Sequence, residues 1–158
     1  MSFSSGLTAL LNGIFSAKMV FQNRVCASQV FAGLPYKSIR ASRRWHPLWG
    51  GSGGWDCSFA VVHLPDDAAS TPPALSPFQG WYLKWGPGDW VATPDWAPCD
   101  NCRDAVAMCS KDLDAGMAAR LARALASPGS WAQDDGVGET VSVYSAPERI
   151  AACIRFGD

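Results

Sequence analysis

The sequence predicts an α+β domain: a mainly antiparallel sheet packed with one or two helices, with an amphipathic helix at its amino terminus. Three observations carry that prediction. Residues 58–64 (Ser-Phe-Ala-Val-Val-His-Leu) and the pair 140–144 and 150–156 are short runs of β-forming side chains bounded by turn residues. Between them, residues 112–127 place Leu113, Met117, Leu121, Ala124 and Leu125 on one helical face. Strands stand before and after this helical stretch without the strict strand-helix alternation of a parallel sheet.

Taken in order, Leu7, Leu10, Leu11, Ile14, Phe15, Met19, Phe21 and Val25 recur at three-and-four spacing, which predicts a helix over about residues 5–31. Gly33-Leu34-Pro35 stops it, since proline disfavours helical geometry in the residue before it and glycine suits a helix end. The segment Lys37–Pro47 is basic, carries Trp45 and lacks a sustained period; it leads into Gly50-Gly-Ser-Gly-Gly54, a linker by composition. That glycine run matches neither the dinucleotide fingerprint nor the P-loop, which needs Lys followed by Ser or Thr. Pro65-Asp66-Asp67 closes the first strand, and Ala68–Pro77 reads as loop. Gln79–Trp85 and Asp89–Thr93 bracket Gly86-Pro87-Gly88 as a hairpin would. Pro98 is placed to open a helix, Pro128-Gly129 ends the one over 112–127, and Ser145–Arg149 turns the last hairpin.

A chain of 158 residues, 48% of them hydrophobic, is long enough for one compact core and short for two. No stretch reaches the roughly 18 consecutive apolar residues of a spanning helix. The net charge of -1 argues against a nucleic-acid surface, which leaves a basic excess. That average hides a division near residue 55: residues 1–55 hold six Lys and Arg and no acid, whereas 56–158 hold all fourteen acids and seven cations. The chain therefore divides into a basic, amphipathic and Trp-bearing extension, 1–55, and one globular α+β domain, 56–158. Met1–Arg44 has the composition of an organelle transit peptide, which would direct the chain to a mitochondrion or plastid, the cytoplasm being the alternative. The same segment suits docking on an acidic partner or peripheral contact with an anionic membrane surface, or simply pairing with the acidic remainder of its own chain.

Six cysteines occur, at 26, 57, 99, 102, 109 and 153. An even count permits a three-bridge framework, but a chain this long does not require staples, and Cys26, Cys57 and Cys153 stand in apolar surroundings that suit small buried hydrophobes. The informative cluster is Asp95-Trp-Ala-Pro-Cys99-Asp-Asn-Cys102-Arg-Asp-Ala-Val-Ala-Met-Cys109. Behind Pro98, Cys99 lies at the positive end of a helix dipole, which favours the thiolate that attacks disulfides or binds metal. Cys102 is one turn on; Cys109 is seven residues further, roughly 10 Å along a continuous helix. A structural zinc site would draw on Cys99, Cys102, Cys109 and His63, or His46 in its place; without a second C-x-x-C the metal stays open, and the default is no cofactor.

Asp95–Arg103 resembles the active-site turn of thioredoxin-like proteins, where a Trp-bearing strand end runs into C-x-x-C at a helix start. The resemblance implies a parallel βαβ unit, Cys99 as attacking thiol, Cys102 as resolving thiol and Pro147 near them; Pro98 stands where that family places an aromatic residue. Trp96-Ala-Pro-Cys99-x-x-Cys102 is also similar to the second half of the zinc nucleobase-deaminase signature, which implies two zinc ligands. The first half, H-x-E, is missing, because neither His46-Pro-Leu48 nor His63-Leu-Pro65 carries the Glu. That resemblance implies at most a relative without deaminase activity.

Eight tryptophans are many for this length. Trp81, Trp85 and Trp90 suit the core of a small sheet, whereas Trp45, Trp49 and Trp55 flank the linker beside Arg40, Arg43 and Arg44. Tryptophan and arginine are the residues that dominate binding hot spots, so these six form the expected interaction surface. The function that follows is a non-enzymatic binding or accessory protein acting through contacts with a protein partner. The alternative is a thiol-redox or zinc-binding protein using Cys99 and Cys102.

Overall fold

The computed structural model describes residues 27–43, 57–74, 89–97, 106–107, 109, 113–134 and 140–156. Within them the chain builds a six-stranded sheet, antiparallel at every pairing, with a helix on one face. The strands are β1 (Ser38–Arg43), β2 (Cys57–His63), β3 (Val91–Ala92), β4 (Ser130–Asp134), β5 (Thr140–Ser145) and β6 (Ile150–Phe156), and the helix α1 is Ala115–Ala126. Their order across the sheet is β1-β2-β6-β5-β4-β3. The α+β class predicted from sequence is what the chain adopts, while the helix expected over 5–31 lies mostly outside the described residues. Its described end, 27–30, is helical, and Gly33 takes a φ of 92° where the helix is expected to have stopped.

The sheet is buried on both faces. Phe59 and Val61 of β2 share one face with Val141 and Val143 of β5 and Ile150, Ala152 and Ile154 of β6, and against these pack Met117, Leu121 and Ala124 of α1 with Cys109. The alternating partners Ala60, Val62, Tyr144, Ala151 and Cys153 face the other way, beneath Ala27, Val30, Phe31 and Leu34. Every residue of β5 is buried, as a strand covered on both sides requires. The helix starts at Ala115 rather than near 112 because the Asp114 carboxylate accepts the Met117 N–H at 2.9 Å and caps it. Gly129 holds a φ of 89° as the chain leaves the helix, and a Cβ there would sit 3.2 Å from Pro147 Cγ.

Three features differ from the sequence reading, and one expected pairing falls outside the described residues. Lys37–Pro47, read as aperiodic, contributes β1, which pairs with β2 from Ser38↔His63 to Arg43↔Ser58. The sheet therefore crosses the compositional change near residue 55. Ser130–Asp134, not expected to be a strand, is β4 and joins β5. The expected strand within 89–93 is present as Val91–Ala92 and pairs with β4, while its expected hairpin partner, 79–85, lies outside the described residues. Finally, the parallel βαβ unit implied by the thioredoxin-like resemblance is absent among the described residues, where all pairings are antiparallel.

Candidate functional site

One end of the sheet gathers four chain segments that sequence order keeps apart. The start of β1, the end of β2 and the β5–β6 turn are stitched by backbone bonds: Lys37 N–H donates to the His63 carbonyl at 2.7 Å, and Leu64 N–H donates to the Arg149 carbonyl at 2.9 Å. From the helix layer α1 adds Arg120. Together Lys37, Ser38, His63, Leu64, Asp66, Arg120 and Arg149 line a cleft of about 280 Å³.

Its electrostatics are one-sided. Three cations, Lys37, Arg120 and Arg149, face a single carboxylate, Asp66. Asp66 is clamped by Lys37 at 3.0 Å and by Arg149 at 2.5 Å, and the hydrogen bond from Lys37, then the charge of Arg149, holds its carboxyl below the usual range. Arg120 has no ion-pair or hydrogen-bond partner among the described residues, although its charge reaches both His63 and the Glu148 carboxylate. Burial first, then Arg120 and Arg40, lower the His63 pKa from 6.5, with Asp114 opposing them. The imidazole is neutral at pH 7, and the lining carries a net charge of +2 from its three cations and one anion.

The turn that presents Arg149 is braced from below. Glu148 N–H donates to Ser145 Oγ at 3.1 Å, Arg149 N–H donates to the Ala146 carbonyl at 3.1 Å, and Arg123 grips the Glu148 carboxylate with two bonds of 2.9 and 2.8 Å. Arg149 itself has a φ of 54°, the left-handed region, which residues with a long side chain seldom occupy. On the next loop, Tyr144 donates its hydroxyl to the Ala69 carbonyl at 2.8 Å and Trp131 donates Nε1–H to the Ser70 carbonyl at 2.9 Å, so the chain just beyond Asp66 is held to β4 and β5.

Ser38 Oγ lies 2.8 Å from His63 Nδ1. A serine–histidine pair invites comparison with an activated nucleophile, but among the described residues no carboxylate is bonded to the imidazole to orient it. Ser38 and His63 are direct cross-strand partners, and that opposition alone brings the two side chains together.

Of the residues singled out from sequence, Arg40 is exposed on β1 opposite Val61, and Arg43 is on the same strand opposite Ser58. Arg44, Trp45, Trp49, Trp55, Cys99, Cys102 and His46 lie outside the described residues. Cys109 is buried and disulfide-bonded, so its sulfur in this state is no thiolate for zinc. It sits 3.8 Å from the Arg155 carbonyl, at the end of the sheet where Arg155 faces Ser58. His63 is five residues further along β2, roughly 17 Å at strand spacing. The fold does not bring these two expected zinc ligands together, and no group of three or more metal-binding side chains occurs among the described residues. Cys153 is buried in the sheet, in no disulfide, and the Ser142 hydroxyl donates to its sulfur at 3.8 Å.

Sequence reasoning passed over Lys37, Ser38, Asp66, Arg120 and Arg149. In sequence Asp66 only closes a strand and Arg149 only ends a turn; no local spacing links positions this far apart. No family model, curated protein or solved structure matches this chain, so the reading of the cleft rests on its own residues. No helix among the described residues is long and apolar enough to cross a membrane.

Proposed function

We propose that this is a non-enzymatic binding or accessory protein acting through protein–protein contacts, and that strand β1 is where it receives an acidic, extended segment of its partner. The observation that carries the reading is the position of β1: it ends the sheet and pairs only with β2 among the described residues. Such a strand offers an outward row of N–H and C=O groups to an added strand. Lys37, Arg40 and Arg43 lie on or beside it with no acid between residues 37 and 43, which selects for an acidic occupant.

Charged side chains also blunt a sheet edge against self-pairing. A labelled Glu-Val alternating octapeptide separates the two roles. Strand addition predicts saturable binding by fluorescence anisotropy that weakens with salt, weakens at least tenfold in Arg40→Glu, and is not shared by a Lys-Val octapeptide. Equal affinity for both peptides, or indifference to Arg40→Glu, overturns it.

A second reading, thiol-redox or zinc chemistry at Cys99 and Cys102, is supported by the disulfide at Cys109 in the same stretch of sequence. It predicts that Cys99→Ser with Cys102→Ser abolishes activity or the fold. The binding role predicts that this double variant still binds the acidic peptide.

A further inference from the structure

We infer that the cleft formed by Lys37, Ser38, His63, Asp66, Arg120 and Arg149 is a binding site for a phosphomonoester group. The site does not depend on strand addition at β1. Charge is the first argument. A carboxylate is already seated between Lys37 and Arg149, and the lining still holds a net +2; Arg120 makes no ion pair or hydrogen bond among the described residues, and the acid its charge reaches, Glu148, is held by Arg123. A phosphomonoester carries about -1.5 to -2 at pH 7 and cancels that excess, whereas a second carboxylate leaves half of it standing.

Donor chemistry is the second argument. An ammonium has three N–H groups and a guanidinium five, so one carboxylate leaves most donors of Lys37 and Arg149 unused. The Ser38–His63 pair keeps a further proton whichever way it is bonded. If Ser38 donates to Nδ1, then Nε2 retains its hydrogen; if Nδ1–H donates to Ser38, the hydroxyl hydrogen is free. Arginine forks suit the three terminal oxygens of a phosphoryl group.

Shape and backbone supply the third. At about 280 Å³ the cleft lies near the lower end of ligand pockets, with room for a phosphoryl group and the first atoms of its ester. Lys37, Asp66 and Arg149 are each more than half exposed, so the group can arrive attached to something larger. Arg149 holds its left-handed conformation although it is not glycine, and strain of this kind collects where a side chain is held for a ligand.

The test is calorimetric titration of the full chain at fixed ionic strength with inorganic phosphate, O-phosphoserine and the peptide Ala-Ala-pSer-Ala-Ala, with acetate for comparison. Saturable binding of at least one phosphate probe, and none of acetate, is expected. Arg120→Gln should weaken it at least tenfold. Asp66→Asn should tighten it severalfold by removing the competing carboxylate, a gain that misfolding cannot mimic. No binding of any phosphate probe to natively folded protein overturns the inference, as do an unchanged affinity in Arg120→Gln and a weaker one in Asp66→Asn. Equal affinity for all three probes assigns free phosphate as the source. Tightening from phosphate to phosphoserine assigns a small phosphomonoester, and further tightening on the peptide assigns a modified protein side chain.

Discussion

Replacing Ser145 with alanine tests whether the turn that carries Arg149 is held from inside the sheet. Ser145 and Ser130 are cross-strand partners, both buried, and the Ser130 hydroxyl donates to Ser145 Oγ at 2.7 Å. The same oxygen accepts the Glu148 N–H at 3.1 Å. Ser145→Ala therefore strands the buried Ser130 hydroxyl, at about 1–3 kcal/mol, and the half-buried Glu148 N–H, at about 1 kcal/mol, so a loss of about 2–4 kcal/mol is expected. Ser130→Ala leaves Ser145 its Glu148 contact and should cost about 1 kcal/mol. With both hydroxyls gone no side-chain donor is orphaned, and the double variant should be about 1 kcal/mol more stable than the sum of the single effects implies. Urea unfolding of the four proteins measures the cycle, with equal slopes confirming that only stability has moved. A Ser145→Ala cost under about 0.5 kcal/mol, or strict additivity, would refute the claim that this oxygen anchors the turn.

Other expectations follow from the same geometry. Leu121, buried in the layer beneath α1, should cost about 2–5 kcal/mol on truncation to alanine, read as a fall in the urea midpoint; a cost below about 1 kcal/mol would mean the helix is not packed as described. The Arg123 hydrogen bonds hold the Glu148 carboxyl below its ordinary 4.5, so folding favours its ionised form; that stability is complete above the ordinary value and drains away as pH falls through the lowered one. Glu148→Gln should thus flatten the loss of stability below about pH 4.5, and an unchanged acid slope would count against the pair. With six cysteines and Cys109 in a disulfide, alkylating the unfolded but unreduced chain should label no more than four thiols; six labels by intact mass would exclude the bond.

The strands that could be read from the sequence share a chemistry. β2, β5 and β6 are central, buried on both faces and rich in Val, Ile, Ala and Phe, so they announce themselves as apolar runs bounded by turns. β1 did not, because an edge strand packs only part of itself: Ile39 meets the second core layer while Lys37, Ser38 and Arg40 face solvent. β4, with Trp131, Ala132 and Gln133, has little intrinsic strand preference and is a strand because β5 supplies a ladder beside it. The cleft was illegible for a stronger reason. Its members come from positions 37 to 149 and meet only through the pairing of β1 with β2, the backbone bond of Leu64 to Arg149 and the docking of α1.

The acid-free first third of the chain can now be divided by what its residues do. Ala27, Val30, Phe31 and Leu34 are buried against Ala60, Val62, Leu64 and Cys153, and β1 closes the sheet beside β2. A leader cleaved near residue 45 would remove all of these. Burying Val30, Phe31 and Leu34 is worth about 1.5–3 kcal/mol each, which together rivals the roughly 5–15 kcal/mol that holds a whole domain folded. A processing site compatible with this fold must therefore lie before Ala27. The two charges described in detail behave differently: Lys37 is neutralised in part by Asp66 from the acidic remainder, whereas Arg40 has no partner among the described residues. Intramolecular pairing thus accounts for the first, which makes Arg40→Glu a cleaner test of the proposed strand addition than any substitution of Lys37.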